Sequence, residues 1–339
     1  MSLIAFILVF LNPVILLGNI TWIQTDVHMI TLVTMGSGLI FLWSRLRIGW
    51  TLVILAILTK PSTLIFLPII ILLSLKHFGA LKTSFAVITG ILFSLVILTP
   101  FFSAGYHIEM FYLPLITQMS SVSLTSRLTS FVSSDAYTFW TLITNLYGTS
   151  GFANFTVPSG NGSQFSIFGT EVTLSFLSAS RILIVYVTAF YAWVIWKSKN
   201  ISQLESLFLI GAYVANILFI STTMSSRYYA FPIPLLVLGC IGLTPFRNLS
   251  WYLLGTLTLI GSLGILGVLS YLATVLPYTI PEGSIISGYI AEKISEFWLN
   301  NWTIRLCSTF TIIAFILSMF RIDSLRNNLD IETNKEEVP

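Results

Sequence analysis

Charged side chains are scarce in this sequence of 339 residues, because only 9% of them are Asp, Glu, Lys or Arg. In a typical soluble domain about 25% of the residues are charged, so this chain has too few charged residues to build a water-facing surface. Its formal net charge of +3 comes from few groups, and we expect no nucleic acid as a partner. Cysteine is also rare. Cys240 and Cys307 both lie inside apolar runs, where we interpret them as packing residues and not as a disulfide or a metal site.

Hydrophobic residues make up 55% of the chain and form runs of the length that a transmembrane helix needs, about 20 residues. The sequence therefore predicts an all-α, polytopic transmembrane bundle of about 9–10 helices, with the lipid bilayer around it. The N-terminal run lacks a basic start and a cleavage site, so we interpret it as a retained span and not as a signal peptide. The predicted spans are Ser2–Leu17, Val27–Trp43, Ser84–Phe102, Arg181–Trp196, Leu204–Thr223, Tyr228–Thr244, Trp251–Ala273 and Trp302–Phe320.

The apolar run Ile48–Leu75 is an exception, because Lys60-Pro61 interrupts it. It is either one kinked helix or a hairpin of two short helices. The hairpin agrees with the positive-inside rule, since it groups ten of the 16 basic residues on the cytoplasmic side, whereas the single helix moves most of them outside. We therefore predict the hairpin, whose short arms need cover from neighbouring helices. The ten residues are Arg45, Arg47, Lys76, Lys82, Lys197, Lys199, Arg247, Arg321, Arg326 and Lys335.

The hairpin places three segments on the outer side of the membrane, Gly18–Asp26, Ser103–Ser180 and Pro277–Asn301. Residues 103–180 are rich in aromatic residues and in Ser and Thr, which predicts short amphipathic helices at the interface. Residues 1–320 are thus expected to form one transmembrane domain, and residues 321–339 a disordered cytoplasmic tail. The plasma membrane and the endoplasmic reticulum are the two expected locations.

Polar residues near membrane depth are the candidates for function, because they are costly there. Asp26 comes at the start of a predicted span and is either a helix N-cap or, together with Gln24, part of an outer cavity for a polar substrate. Lys60, at the tip of the predicted hairpin, either snorkels to the interface or binds a lipid-linked phosphate. A phosphate there would gain from the ammonium group and from the free N–H groups at the start of the second arm.

Arg227 follows a predicted span on the outer side, where a basic residue is disfavoured. It is either an interfacial anchor beside Tyr228 and Tyr229 or a phosphate ligand, because its planar guanidinium makes paired hydrogen bonds to phosphate. The sequence does not select a general base from the acidic residues of the outer region, which are Glu109, Asp135 and Glu171. Motifs for nucleotide binding, for Ser-His-Asp catalysis and for metal coordination are absent from the sequence.

Four segments of the chain resemble motifs of one family of membrane enzymes, and they occur in the family's order. The segments are Leu11-Asn12-Pro13 with Trp22-Ile23-Gln24-Thr25-Asp26, Thr59-Lys60-Pro61-Ser62 with Leu67-Pro68, Asp135-Ala136-Tyr137-Thr138-Phe139-Trp140, and Ser226-Arg227-Tyr228-Tyr229 with Pro232. They resemble motifs of GT-C fold glycosyltransferases, in the branch that transfers mannose or glucose from polyprenyl- or dolichyl-phosphate sugars.

The resemblance implies an inverting hexosyltransferase that uses a lipid-phosphate sugar on the extracytoplasmic or lumenal face and passes the hexose to a hydroxyl group. A base would deprotonate the acceptor, and cations would stabilise the departing phosphate. Lys60 and Arg227 fit the cation role. Gln24 and Asp26 fit the cavity wall, with Trp22 and Tyr228 beside them. These residues indicate no cofactor with certainty, and a divalent cation is the candidate.

The sequence departs from the family pattern at three places. Ile23 stands where the family has Gly, and Ser225-Ser226 stand where it has His-Glu. Family members also have two upstream helices whose connecting loop carries the catalytic acid, and here Met1 comes just before the Asn-Pro motif. We therefore expect a fragment, or a split enzyme whose partner subunit supplies the missing helices. The alternatives are a non-catalytic partner subunit and a transporter or flippase of lipid-linked sugars, although a second broken helix typical of transporters is missing.

Overall fold

The computed structural model describes residues 8–9, 11–22, 26–59, 61–104, 136–146, 162–167, 170–221, 226–242, 246–275 and 289–336. Apart from one short hairpin of two strands, the chain is a bundle of helices in these ranges, and the prediction of a polytopic helical fold is confirmed. The helices are α1 (Pro13–Trp22), α2 (Asp26–Phe41), α3 (Leu46–Thr59), α4 (Leu67–Phe78), α5 (Ala80–Ser103), α6 (Phe139–Leu146), α7 (Phe176–Lys197), α8 (Gln203–Ile220), α9 (Ile233–Gly242), α10 (Arg247–Val275), α11 (Tyr289–Leu299) and α12 (Asn301–Glu336).

Five of the described helices are long and apolar enough to cross a membrane, in agreement with a multi-pass membrane protein. These spans are Ala80–Pro100, Ser178–Lys197, Gln203–Ile220, Arg247–Tyr271 and Asn301–Ser324. Their burial differs strongly, since 89% of the α8 span is buried inside the protein but only 28% of the α5 span. Helix α8 is therefore the centre of the bundle, and α5 has most of its surface free to face lipid.

The predicted hairpin is confirmed by the relative direction of α3 and α5. The Arg47 guanidinium lies 4.8 Å from the centre of the Phe85 ring, near the start of both helices. Further along, the backbone of Thr51 lies close to Gly90. Because the contacting residue numbers rise together, α3 and α5 run parallel. The chain must therefore reverse between them, and α4 is the returning arm.

The reversal takes place in a 3₁₀ turn over Pro61–Phe66. Proline is tolerated at the start of such a turn, where its missing N–H needs no partner. The hydroxyl of Thr63 donates a hydrogen bond of 3.2 Å to the carbonyl of Ala56, one of the carbonyls that the end of α3 leaves open. The return arm then ends at Gly79, whose φ of +79° is a conformation that glycine adopts without strain.

The ends of many helices gather at one end of the bundle. The Lys76 ammonium donates a hydrogen bond of 3.3 Å to the carbonyl of Trp196, which joins the ends of α4 and α7. His77 is hydrogen-bonded to Ser206 in the first turn of α8 at 2.8 Å. The starts of α3, α5 and α10 lie at the same end, which we call the basic end. It carries Arg45, Arg47, Lys76, Lys82, Lys197, Lys199 and Arg247, the grouping that the hairpin predicts.

Two predictions for the outer segments are incomplete. Helix α1 continues to Trp22, beyond the predicted end of the first span at Leu17. Between residues 103 and 180 the helix α6 is accompanied by an antiparallel hairpin of β1 (Gly162–Ile167) and β2 (Thr170–Ser175), which we did not predict. The sequence contains a signal for this hairpin. Apolar residues alternate with polar ones in both strands, which is the period-2 pattern of a β-strand.

The prediction of a disordered tail over residues 321–339 is wrong for most of that range. Helix α12 begins at Asn301 and continues without a break to Glu336. The polar sequence after residue 320 has no glycine or proline until Pro339, and Arg326 and Asp330 are four residues apart, which favours a helix. The membrane span therefore continues directly into a polar helix.

Candidate functional site

The 3₁₀ turn over Ser226–Ala230 is the centre of the candidate site. It follows α8 and precedes α9. Two prolines, Pro232 and Pro234, come directly after it, so the chain cannot continue from α8 into α9 as one regular helix. Inside the turn Tyr229 is fully buried. Tyr228 is half-buried, with its ring 5.1 Å from the ring of Phe231. The turn thus holds one tyrosine in the core and one near its edge.

The segment before α6 is hydrogen-bonded to this turn. The Tyr229 hydroxyl donates a hydrogen bond of 3.0 Å to the carbonyl of Tyr137, and the hydroxyl of Thr311 donates to the same carbonyl at 2.8 Å. The indole N–H of Trp140 donates to the carbonyl of Ile220 at 2.6 Å, at the end of α8. Two of the four segments that resemble glycosyltransferase motifs are therefore in direct contact, although 92 residues separate them in the sequence.

Helix α1 brings a third segment to the turn. The side chain of Asn12 accepts a hydrogen bond of 3.0 Å from the N–H of Val14 and so caps the start of α1. Its amide donates to the hydroxyl of Thr258 on α10 at 2.9 Å. Val14 and Tyr229 both lie next to Gly261 of α10, where an added Cβ would come within 2.8 Å and 3.3 Å of their side chains. The Asn-Pro segment is thereby fixed against the turn.

The fourth segment comes close to the residue after the turn, Phe231, through Phe66. Its ring is buried, and its centre lies 6.3 Å from the centre of the Phe231 ring. The Pro61–Phe66 turn also contacts α2, α3 and α8. Two of the segments therefore contact the Ser226–Ala230 turn, and the segment of Lys60 lies near the residue that follows it.

The structure describes the predicted site residues to different extents. Lys60 and Gln24 lie outside the described residues. Trp22 is the last residue of α1, Asp26 is the first residue of α2, as its interpretation at a helix start predicts, and Arg227 lies within the Ser226–Ala230 turn. Helix α1 contacts both the Ser226–Ala230 turn, which carries Arg227, and α2, which begins with Asp26. Helix α2 in turn contacts the 3₁₀ turn that follows Lys60.

The length of α3 gives the depth of this region. Helix α3 begins at the basic end and has 14 residues, so its length is about 21 Å at 1.5 Å per residue. The hydrocarbon core of a bilayer is about 30 Å thick. With the basic start of α3 placed at one edge of the hydrocarbon core, the end of α3 lies roughly 10 Å below the opposite edge. Charges at this depth need partners or a polar recess.

An apolar cavity of about 330 Å³ lies beside the site, between α1, α2 and α9. Its wall begins at Val27, the neighbour of Asp26, and reaches towards the basic end at Met35 and Leu238. The other lining residues are Val9, Ile15, Ile30, Thr31, Thr34, Pro234 and Val237. The cavity is suited to a hydrocarbon chain, because almost its whole wall is apolar.

Polar contacts between α6 and α12 were not predicted. The Arg305 guanidinium donates a hydrogen bond of 2.6 Å to the side chain of Asn145, whose own amide donates to Asn301 at 3.1 Å. Thr141 and Ser308 join the same two helices through their hydroxyls at 2.8 Å. The signal in the sequence was the spacing of Thr141, Thr144 and Asn145 on one helix face. These contacts hold the segment that carries Tyr137.

Helix α11 carries charged residues, and one of them, Lys293, lines a cavity of about 370 Å³ together with Tyr137. Lys293 and Glu296 form an exposed salt bridge with a distance of 2.6 Å. The hydrogen bond and the negative charge of Glu296 raise the pKa of Lys293 above its ordinary value. In the described part of the chain, no group of three or more His, Cys, Asp or Glu side chains is arranged to hold a metal ion.

Comparison of the chain with protein-family models, with curated proteins and with solved structures finds no match. The interpretation of the site therefore depends on its own residues and geometry.

Replacement of Tyr229 by phenylalanine is expected to lower the free energy of unfolding by about 1 kcal/mol. It removes the hydrogen bond to the Tyr137 carbonyl, which still accepts a hydrogen bond from Thr311. The measurement is unfolding of the purified chain by a denaturing detergent. Tyr186→Phe is the matched control, because Tyr186 is 63% exposed on α7 and its loss should change little. Equal stability of the two variants would contradict the role of the Tyr229 hydroxyl.

Proposed function

We propose that this chain is a glycosyltransferase, or the larger part of one. It would transfer a hexose from a polyprenyl- or dolichyl-phosphate donor to a hydroxyl acceptor at the membrane face opposite the basic end. The observation that carries the proposal is the proximity of four separate segments that resemble glycosyltransferase motifs. Two of them contact the Ser226–Ala230 turn, and the segment of Lys60 lies near Phe231, the residue after the turn. A purely structural role of these segments would not require that they lie close to one another.

The chemistry assigns a role to each charged residue. In the reaction the acceptor oxygen attacks the anomeric carbon, the bond from that carbon to the phosphate oxygen breaks, and the acceptor proton passes to a base. Negative charge then grows on the phosphate. Lys60 and Arg227 would stabilise this charge by charge-assisted hydrogen bonds. The base is not among the residues to which we assign roles.

The surroundings of the site agree with a lipid-linked donor. The apolar cavity between α1, α2 and α9 begins beside Asp26, so a hydrocarbon chain in the cavity would bring its head group to the site. The depth of the hairpin tip also agrees with a lipid-linked donor. A donor anchored in the bilayer can reach a recess below the membrane surface, whereas a water-soluble sugar nucleotide would have to enter it from outside. Gln24 and Asp26 would then offer polar atoms to the sugar.

Replacement of Lys60 by alanine is expected to weaken the binding of undecaprenyl phosphate about tenfold, or about 1.4 kcal/mol. Binding is measured with radiolabelled lipid on the purified full chain in neutral detergent. Undecaprenol, which lacks the phosphate, should bind equally to both proteins. Lys199→Ala is the matched control, because Lys199 is an exposed lysine at the basic end.

Two results would distinguish the alternatives. Equal affinity of wild type and Lys60→Ala for undecaprenyl phosphate would remove the role of Lys60. Binding that depends on Lys60, in membranes that show no transfer from either polyprenyl-phosphate mannose or polyprenyl-phosphate glucose, would favour a non-catalytic partner subunit.

A further inference from the structure

The chain has a long region in which all charged side chains are positive. Between Asp26 and Glu109 there is no Asp or Glu, whereas the same region contains Arg45, Arg47, Lys60, Lys76 and Lys82. In the part of the chain that the structure describes, no carboxylate forms a salt bridge with Arg45, Arg47 or Lys82. All three of these side chains are exposed at the basic end. These exposed charges are therefore available to an anion from outside this region.

The connection between α2 and α3 holds two of these cations in place. Ser44 adopts a left-handed conformation with φ of +53°, and the N–H of Arg45 donates a hydrogen bond of 2.7 Å to the carbonyl of Leu39. The carbonyl of Arg45 then accepts the first bond of α3 from Gly49 at 2.9 Å. The backbone of Arg45 is therefore fixed on both sides, and Arg47 follows within the first turn of α3.

Arg47 contacts the helix that carries Lys82. The Arg47 guanidinium lies 4.8 Å from the centre of the Phe85 ring, a cation–π distance. Lys82 precedes Phe85 by three residues on α5, and residues with this spacing lie on the same face of a helix. Lys82 therefore lies on the same face of α5 as the ring that Arg47 contacts.

An apolar stripe leads from this ring along α5. Phe85, Ile88, Leu92 and Val96 are 55%, 55%, 59% and 66% exposed. Their spacing of three or four residues places them in one line along the helix. Since only 28% of the α5 span is buried in the protein, the stripe faces the hydrocarbon of the bilayer.

We propose that this surface binds an anionic phospholipid from the leaflet at the basic end. Its phosphate lies between Arg47 and Lys82, within reach of Arg45, and one acyl chain lies along the stripe on α5. Guanidinium and ammonium groups both bind phosphate oxygens by charge-assisted hydrogen bonds. A lipid fits better than an acidic peptide, because the cations are continuous with a surface that faces acyl chains.

The test measures the thermal stability of the full chain in neutral detergent with added phosphatidylglycerol or phosphatidylcholine. A lipid that binds only the folded chain raises the melting temperature with its concentration. We expect phosphatidylglycerol to raise it by about 2–4 °C and phosphatidylcholine to have no effect. The variant Arg47→Gln/Lys82→Gln should lose at least half of this increase.

The control variant is Lys199→Gln/Arg247→Gln, which loses the same charge at the same end of the bundle but on other helices. It should keep the full effect of phosphatidylglycerol. An equal loss in both variants, or an equal effect of the two lipids on wild type, overturns the proposal. The proposal is also wrong if phosphatidylglycerol does not change the melting temperature of the wild type while the variant Asp330→Asn/Glu332→Gln is less stable than the wild type. In that case the acidic end of α12 supplies the counter-charge. If Arg47→Gln/Lys82→Gln fails to fold, native mass spectrometry of Lys82→Gln alone provides the readout, with fewer bound phosphatidylglycerol molecules expected.

Discussion

Replacement of Arg227 by alanine is expected to lower sugar transfer by a factor of about 10²–10³. Under the proposed function, the guanidinium of Arg227 stabilises the negative charge that develops on the phosphate as the bond to the sugar breaks. The loss should appear in the rate of transfer and less in donor binding, because the charge grows towards the transition state. The assay measures the transfer of labelled mannose or glucose from the polyprenyl-phosphate sugar in membranes that contain the full chain.

Two further variants make this result specific. Arg227→Lys keeps the charge but loses the planar pair of donors, so it should recover only part of the activity. Arg181→Ala removes an exposed arginine near the start of α7 and should leave transfer unchanged. Full activity of Arg227→Ala would refute the assigned role, provided that the variant unfolds at the same temperature as the wild type.

Replacement of Gly49 by leucine is expected to destabilise the folded chain by about 3 kcal/mol. Helices α2 and α3 are in close contact here, because an added Cβ on Gly49 would lie 2.5 Å from the Ile40 side chain and 2.7 Å from the carbonyl oxygen of Gly36. Small residues allow membrane helices to approach in this way. A leucine would force the two helices apart, and with them the start of α2 and the hairpin tip.

The measurement is the fraction of folded chain after extraction, followed by unfolding in a denaturing detergent. Gly255→Leu is the matched control, because Gly255 is an exposed glycine on α10 with no atom within 4 Å of an added Cβ. That change should be neutral or slightly stabilising, since leucine favours the helix more than glycine does. If Gly49→Leu is as stable as Gly255→Leu, the contact between α2 and α3 is not tight in the membrane.

The distribution of charge predicted the hairpin before any contact was known. Pro61 alone permits either a kink or a reversal, but only a reversal gathers Arg45, Arg47, Lys76 and Lys82 at one end. The contact of Arg47 with Phe85 then follows from the parallel course of α3 and α5. The positive-inside rule depends on the charges of whole loops, so it can be applied to a single sequence.

The contacts of the site could not be predicted in the same way. The order of the four segments is visible in the sequence, but the hydrogen bond from Tyr229 to Tyr137 depends on the rotation and the depth of several helices. Nothing local to either tyrosine encodes its partner. The hairpin of β1 and β2 was missed for a different reason, because its alternating pattern is short and lies among Ser, Thr, Gly and Asn residues that also favour turns.

The short first arm of the hairpin also has an electrical consequence. A phosphate that travels from the surface to the tip crosses roughly a third of the hydrocarbon core. Where the recess excludes water, each elementary charge at that depth feels about a third of the membrane potential, or about 0.8 kcal/mol per 100 mV. A potential that is negative on the side of the basic end opposes the entry of an anion and favours its release. Under the proposed function, the membrane potential would therefore regulate how long the lipid phosphate that remains after transfer occupies the site.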